Sequence, residues 1–193
     1  MENITTMPAT IERWHDVQAA LTGGGDGRSC QCAWPMMTGA QWRTSSVDER
    51  RSRLREELSS GAVPGLVAYV GGVAAGWVRV CPRPLQRHLE TSRIVKSGSP
   101  EPFGDADVWA ITCFSVRNEF RRHGVGAALL RAGVDYARSC GARMLEAYPL
   151  DNTASKVSST SLFVGALTTF LDAGFEVVAR PTPTRAVVTL NLR

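Results

Sequence analysis

Between Asn118 and Leu130 the chain reads NEFRRHGVGAALL, with Arg121, Arg122 and His123 directly ahead of Gly124 and Gly126. Side chains of these types at the mouth of an apolar, helix-like run mark either an ordinary loop with a glycine turn or a cradle for a phosphorylated ligand. The first N–H groups of a helix have no internal partner, and the helix dipole favours an anion there. Glycines let the backbone come close to a bulky diphosphate, and arginines add charge-assisted hydrogen bonds. Two nucleotide motifs fail at named positions. The dinucleotide fingerprint, counted from Gly124, needs Gly or Ala where Leu129 stands, and the chain contains no Gly-Lys-Ser/Thr tripeptide of a P-loop.

The elements that must position this loop are readable on both sides of it. VWAITCFSV (108–116) is rich in β-branched and aromatic residues and reads as a buried strand leading into the loop. GVGAALLRAGVDYARSCG (124–141) follows as a helix, with Ala128, Leu129, Ala132, Val134 and Ala137 on its apolar side and Gly141 at its end. RMLEAYP is a further strand stopped by Pro149, SLFVGALTTFLDAG (161–174) a helix closed by Gly174, and FEVVARPTPTRAVVTLNL two late strands about a Pro-rich turn. Upstream, GLVAYVGGVAAGWVRV is a hairpin turning at Gly71-Gly72. TIERWHDVQAALT reads as a first helix, and SVDERRSRLREELSSG as a second with Ser46 as N-cap. Residues 81–107 form a long connection containing one short helix, a length that points to function. The set predicts a single α/β (α+β) domain over residues 1–193, built on a central, mixed but mostly antiparallel sheet flanked by helices.

Composition narrows the class. A hydrophobic share of 44%, charged residues at 21% and a net charge of +4 describe an ordinary globular chain whose excess charge is small. No apolar stretch reaches membrane-spanning length and the N-terminus lacks a leader pattern, so a cytoplasmic protein without a membrane partner is expected. The arginines of ERRSRLREEL alternate with Glu49, Glu56 and Glu57, the pattern of a solvated helix face and not of a nucleic-acid surface. Cys30 and Cys32 form a C-x-C pair, but no second Cys/His pair follows at zinc spacing, so no metal is expected; core burial or a reactive pocket thiol is the reading.

VRNEFRRHGVGAALL closely resembles the coenzyme A loop of the GNAT-type N-acetyltransferase superfamily, V-x-P-x-x-R-x-x-G-x-G/A-x-x-L-L. Val116 stands at the strand end, Arg121 at the Arg/Gln position, and Asn118 replaces a common proline. The resemblance runs from Gly65 to Arg180, through the hairpin and on to Ala173-Gly174-Phe175 at the family's closing "x-GF". It implies acetyl-CoA as cosubstrate and transfer of the acetyl group to an amine, of a small molecule rather than a protein, by direct attack on the thioester. It also implies that the backbone of Cys113, Phe114 and Val116 pairs with the pantetheine arm, and that N–H groups from Arg121, Arg122, His123, Gly124, Val125 and Gly126 hold the pyrophosphate. The family's tyrosine, four residues before the glycine of "GF", is Phe170 here, and its asparagine earlier in that helix is Phe163. Tyr148 is therefore the expected thiol proton donor. Glu146 shares its strand face and is the expected base, with Asp105, Asp107, His88 and water as alternatives. The N-terminal third, residues 1–64, is where the family builds its acceptor pocket, and Trp34 and Trp42 are the expected aromatic walls. A homodimer is compatible with the sequence. The lost tyrosine also motivates a second reading, a non-catalytic acyl-CoA-binding sensor.

Overall fold

Gly71 and Gly72 both take positive φ, 56° and 81°, and reverse the chain between β2 (Gly65–Val70) and β3 (Val73–Pro82) as the sequence predicts. The computed structural model describes residues 3–22, 26–152 and 163–193. Seven strands form one sheet in the order β1-β2-β3-β4-β5-β7-β6, with β1 at Ile4–Pro8, β4 at Val108–Val116, β5 at Met144–Ala147, β6 at Glu176–Thr182 and β7 at Arg185–Asn191. Every neighbouring pair is antiparallel except β4 with β5. A parallel pair needs a crossover, here supplied by α7 (Val125–Ser139).

Helices cover both faces. Against one face lies α7, whose Val125, Leu129, Leu130, Gly133, Val134 and Ala137 are buried. They meet Val78, Val80, Ile111, Leu145 and Ala147 of the strands and Phe170 of α8 (Leu167–Asp172) in the largest core. The apolar stripe is thus centred one residue from the Ala128–Ala132 line read from sequence, and those two alanines are only partly buried. The other face carries two smaller cores. One joins α1 (Trp14–Leu21) and α4 (Val47–Ser59) to Val67, Ala74 and Trp77. The second joins the insertion, as α5 (Arg87–Thr91) and α6 (Arg93–Gly98), to Ala110, Tyr148 and Val187.

The Ser46 cap of α4 is present as a full capping box with Glu49. A second box, Thr38 with Gln41, starts α3 (Gly39–Thr44), and a single turn, α2 (Gly27–Cys30), occupies the glycine-rich stretch ahead of it; neither helix was expected. Strand β1 was also missed, being a half-exposed edge strand without apolar alternation. The helix expected over 161–174 is cut to α8, because Gly165 adopts a φ of 83° and the chain enters the helix only at Leu167. Ser161 and Leu162 of that expectation lie outside the described residues.

Candidate functional site

Strands β4 and β5 run together and then part. Their ladder covers Val108↔Met144 to Ile111↔Ala147 and stops, whereas β4 continues to Val116 paired, among the described residues, with β3 alone. The point of parting carries a bulge. Arg79 faces Cys113 and Val80 faces Ile111, so Thr112 is the extra residue. The insertion changes the phase of the strand. Ile111 and Phe114 pack into the α7 core, whereas Thr112 and Cys113 both turn to the opposite face. The buried side chain of Gln86 fastens the bulge. Its Nε2 donates to the carbonyls of Ala110 (2.9 Å) and Cys81 (3.3 Å), and its Oε1 accepts from Thr112 Oγ1 (2.6 Å). Residues 112–116 therefore present a strand edge that β5 does not fill, the natural place for an extended ligand to add as a strand.

That edge leads into the loop. Arg121 folds back so that its Nε donates to the carbonyl of Val116 at 3.2 Å, a contact that fixes the loop against the strand end. Arg122 takes a φ of 65° and Gly124, the N-cap of α7, a φ of 83°. Two left-handed residues in so short a span wind the backbone into a concave turn of the kind that gathers N–H groups around an anion. Among the described residues no side chain caps α7, and the first intrahelical N–H is that of Ala128, donating to the carbonyl of Gly124 at 2.9 Å. The N–H groups of Val125, Gly126 and Ala127 therefore open toward whatever lies ahead of the helix. A Cβ built on Gly126 meets nothing within 4 Å. Space and donors coincide there, with exposed Arg122 and His123 beside them. Those features fit a diphosphate followed by an extended arm.

At the end of β5, Glu146 and Tyr148, the residue just past the strand, do share one face, as read from their spacing, but they form a closed cluster. Glu146 is fully buried, with one oxygen accepting from Arg83 Nη1 (3.0 Å) and from the hydroxyl of Tyr148, and the other from Ser99 Oγ (2.6 Å). Arg83, also fully buried, donates further to Ser99 Oγ (2.6 Å) and to the carbonyls of Glu101 and Pro102. Burial first, then the Glu146 charge, push the Tyr148 phenol well above its ordinary value. The cluster pins the insertion to the sheet beside the parting strands. Arg83, Ser99 and Gln86 escaped the sequence reading, since no local pattern marks partners that meet across the fold.

The remaining base candidates separate by position. Asp105 is bound to Arg143 and Asp107 faces Arg193 at 3.4 Å, both just before β4 begins. Asp107 lies five residues from Thr112, about 17 Å along a strand, at the end away from the bulge. His88 is two residues from Gln86, and its ring packs on Trp34 with centroids 4.0 Å apart. Its Nδ1 is buried and has no hydrogen-bond partner among the described residues, and burial lowers its pKa below 6.5. Trp34 also meets Trp42 edge-on at 5.0 Å, and the guanidinium of Arg50 covers Trp42 at 3.7 Å. The two tryptophans are thus brought together, in a cluster that joins the N-terminal segment to α5. Phe170 fills the usual tyrosine position, stacked edge-on against Phe114 (6.1 Å) and Phe175 (5.1 Å).

A sequence model of the acetyltransferase (GNAT) family matches residues 31–156. This chain belongs to the GNAT acetyltransferase family. The GNAT fold is also that of solved structures with full coverage. A ribosomal-protein-alanine N-acetyltransferase from Brucella melitensis superposes with a TM-score of 0.58 at 17% identity, over 97% of this chain and 99% of that one. An N-acetyltransferase from Staphylococcus aureus Mu50 gives 0.56 at 15%, covering 99% of both chains. A Salmonella typhimurium protein solved with its cofactor acetyl-CoA gives 0.55 at 19%, over 98% of this chain and 94% of that one. A search of the curated proteins finds no match. GNAT acetyltransferases use acetyl-CoA. Among the described residues no His/Cys/Asp/Glu group is arranged to hold a metal, and no helix is long and apolar enough to cross a membrane.

Proposed function

We propose that the protein transfers the acetyl group of acetyl-CoA to the amine of a small molecule by direct attack on the thioester. The observation that carries this reading is the continuity of the β4 edge beyond β5, residues 112–116, with the N-terminus of α7, both left open by the described residues. The main chain of Cys113, Phe114 and Val116 would take the pantetheine arm, and N–H groups from Arg121 to Gly126 the diphosphate. Bound there, acetyl-CoA supplies the activated acyl group. A strand amide near Val116 is aimed where charge develops on the acyl oxygen. The acceptor approaches from the face opposite α7. On that face the insertion and the Trp34–Trp42–His88 cluster narrow the space, which favours a small, partly apolar amine over a folded protein surface.

His88 is our choice of base. Its buried Nδ1 has no partner among the described residues, and burial favours the neutral imidazole, the form that can take the ammonium proton. The sign follows from its lowered pKa: the active, neutral form persists as pH falls and is lost only below the ordinary 6.5. Wild-type kcat/KM is expected to hold down to that range and then fall with one protonation. His88→Gln should lower the plateau by roughly 100-fold and erase this acid limb; an unchanged limb would remove His88 from the mechanism.

Tyr148 is assigned a positioning role. Its proton is donated to Glu146, and a phenol held this far above its ordinary value is a weak acid toward a thiolate. Tyr148→Phe is expected to lower stability by about 2 kcal/mol, the worth of a hydrogen bond to a charged group, while the basic limb of the kcat profile stays in place. Loss of that limb with unchanged stability would restore Tyr148 as proton donor.

Thiol release from acetyl-CoA, measured over a panel of small amines and of peptides with free N-termini, tests the reaction itself. Turnover with a small amine supports the proposal, and turnover with peptides alone transfers it to a protein acceptor. The phenylalanine at position 170 favours the second reading, an acyl-CoA sensor. Tight binding without turnover on any amine or peptide would establish that reading instead.

A further inference from the structure

Acetyl transfer as proposed uses the main chain of Cys113 but none of the side chains of a second cluster, centred on the sulfur of Cys32. Indole Nε1 of Trp77 donates to it at 3.1 Å and Nε of Arg79 at 3.3 Å, and Cys113 packs against the same cluster. Trp77 and Arg79 alternate along β3 and so share a face, and Cys113 stands directly across from Arg79 on β4. The Thr112 bulge is what turns Cys113 to this side. Cys32, Trp77 and Arg79 are buried, whereas Cys113 is partly exposed.

The chain delivers Cys32 to this point in an unusual conformation. Gln31 and Cys32 are consecutive non-glycine residues in the left-handed region, at φ 52° and 51°. Such positions cost about 1–3 kcal/mol each and persist only where the surroundings enforce them. Here the enforcement is visible. The Gln31 side chain is buried and locked between Gln18 Nε2 (2.8 Å) and the carbonyl of Arg28 (2.8 Å).

The ionisable groups facing the sulfur are Arg79, itself bridged to Glu57 at 2.9 and 3.0 Å, and the thiols of Cys30, Cys81 and Cys113. Burial raises the Cys32 pKa, but the neighbouring Cys113 thiol and the Arg79 charge outweigh it and bring the thiol below its ordinary value. Cys113 moves the opposite way because Cys32 lies beside it, and burial pushes Cys30 and Cys81 up. Negative charge is thus favoured on Cys32 over the three neighbouring thiols. No group completing a metal-ligand set occurs among the described residues.

We infer that Cys32 and Cys113 are a hydroperoxide-reactive thiol pair, Cys32 attacking and Cys113 resolving, which closes into a disulfide joining the N-terminal segment to β4. In the first step the Cys32 thiolate forms an S–O bond as the peroxide O–O bond breaks, and the leaving hydroxide takes a proton and departs as water. In the second step Cys113 gives up its proton and attacks the Cys32 sulfur. An S–S bond forms, the S–O bond breaks and a second water leaves. Two thiols have then lost two electrons to one peroxide. Cys113 packs against the cluster that holds Cys32 and, being partly exposed, links the pair to solvent. The inference stands apart from the acetyl-transfer reading and does not depend on it.

The test uses the reduced full-length protein and hydrogen peroxide, followed by intact mass and a non-reducing peptide map. The expected result is a loss of about 2 Da, reversed by dithiothreitol, with the linked peptides containing Cys32 and Cys113. In Cys113→Ser the reaction should stop at a gain of about 16 Da, captured by dimedone on Cys32. A disulfide built from Cys30, Cys81 or Cys140 would overturn the assignment. So would an unmodified Cys32 in wild-type protein at peroxide levels that oxidise free glutathione, a readout that needs no variant to fold.

Discussion

Replacing Gly126 with Asp is expected to abolish acetyl-CoA binding while leaving the fold intact. The two halves of this expectation have separate grounds. A Cβ at position 126 meets no atom within 4 Å, and the residue lies in the first turn of α7 with ordinary helical geometry, so the substitution is sterically free. An acidic residue in the first turn is even mildly stabilising to a helix. The same carboxylate stands where the diphosphate is proposed to lie. At about 4 Å and an effective dielectric near 20, one pair of like charges costs about 4 kcal/mol, roughly a 1000-fold loss in affinity. Calorimetry with acetyl-CoA should show heat for the wild type and none for the variant at equal melting temperature. Gly126→Ala, which adds only the methyl group, should bind within roughly 10-fold of wild type. Equal affinity of Gly126→Asp and wild type would remove the diphosphate from the α7 terminus.

The second large effect belongs to Arg83. Its guanidinium is buried with the Glu146 carboxylate and satisfies that group together with Ser99 and Tyr148. Removing one partner of such a pair leaves a buried, uncompensated charge and costs about 3–5 kcal/mol. Arg83→Ala is expected to lower the melting temperature by roughly 10 °C, with chemical denaturation giving the free energy. Most of that loss is attributable to the stranded carboxylate. Arg83→Met combined with Glu146→Leu should therefore recover much of it, since apolar replacement of a buried pair is often neutral. A loss below about 1 kcal/mol for Arg83→Ala would mean that the ion pair is not what holds the insertion down.

How much of this was legible in the sequence follows from the range of the interactions. The loop 118–126 was legible because helix N-terminal chemistry is local: the glycines, the arginines and the helix they open lie within one short stretch. The Ser46 cap, the Gly71-Gly72 turn and the shared face of Glu146 and Tyr148 are equally local consequences of residue type and period. What stayed hidden depends on partners distant in sequence. Glu146 looked like a candidate base because its strand position was visible, while Arg83, 63 residues away, was not. The C-x-C pair was visible, but its surroundings on β3 and β4 were not. The Thr112 bulge arises from a register shift between two strands, which no single strand encodes. Trp34 and Trp42 lay in a stretch without hydrophobic period, and only packing shows that they meet each other and His88. Gly165 makes the last helix start late, because a left-handed residue is needed beside Phe170, where a Cβ would come within 2.6 Å of the ring.

Amide hydrogen exchange with and without saturating acetyl-CoA tests the central claim most directly, because it reads the backbone that the claim is about. Acetyl-CoA is expected to slow exchange in two connected stretches, residues 112–116 at the unfilled edge of β4 and residues 121–127 at the mouth of α7, with β6 and α4 unchanged. Protection confined to other segments, with both of these stretches exchanging as in the free protein, would contradict it.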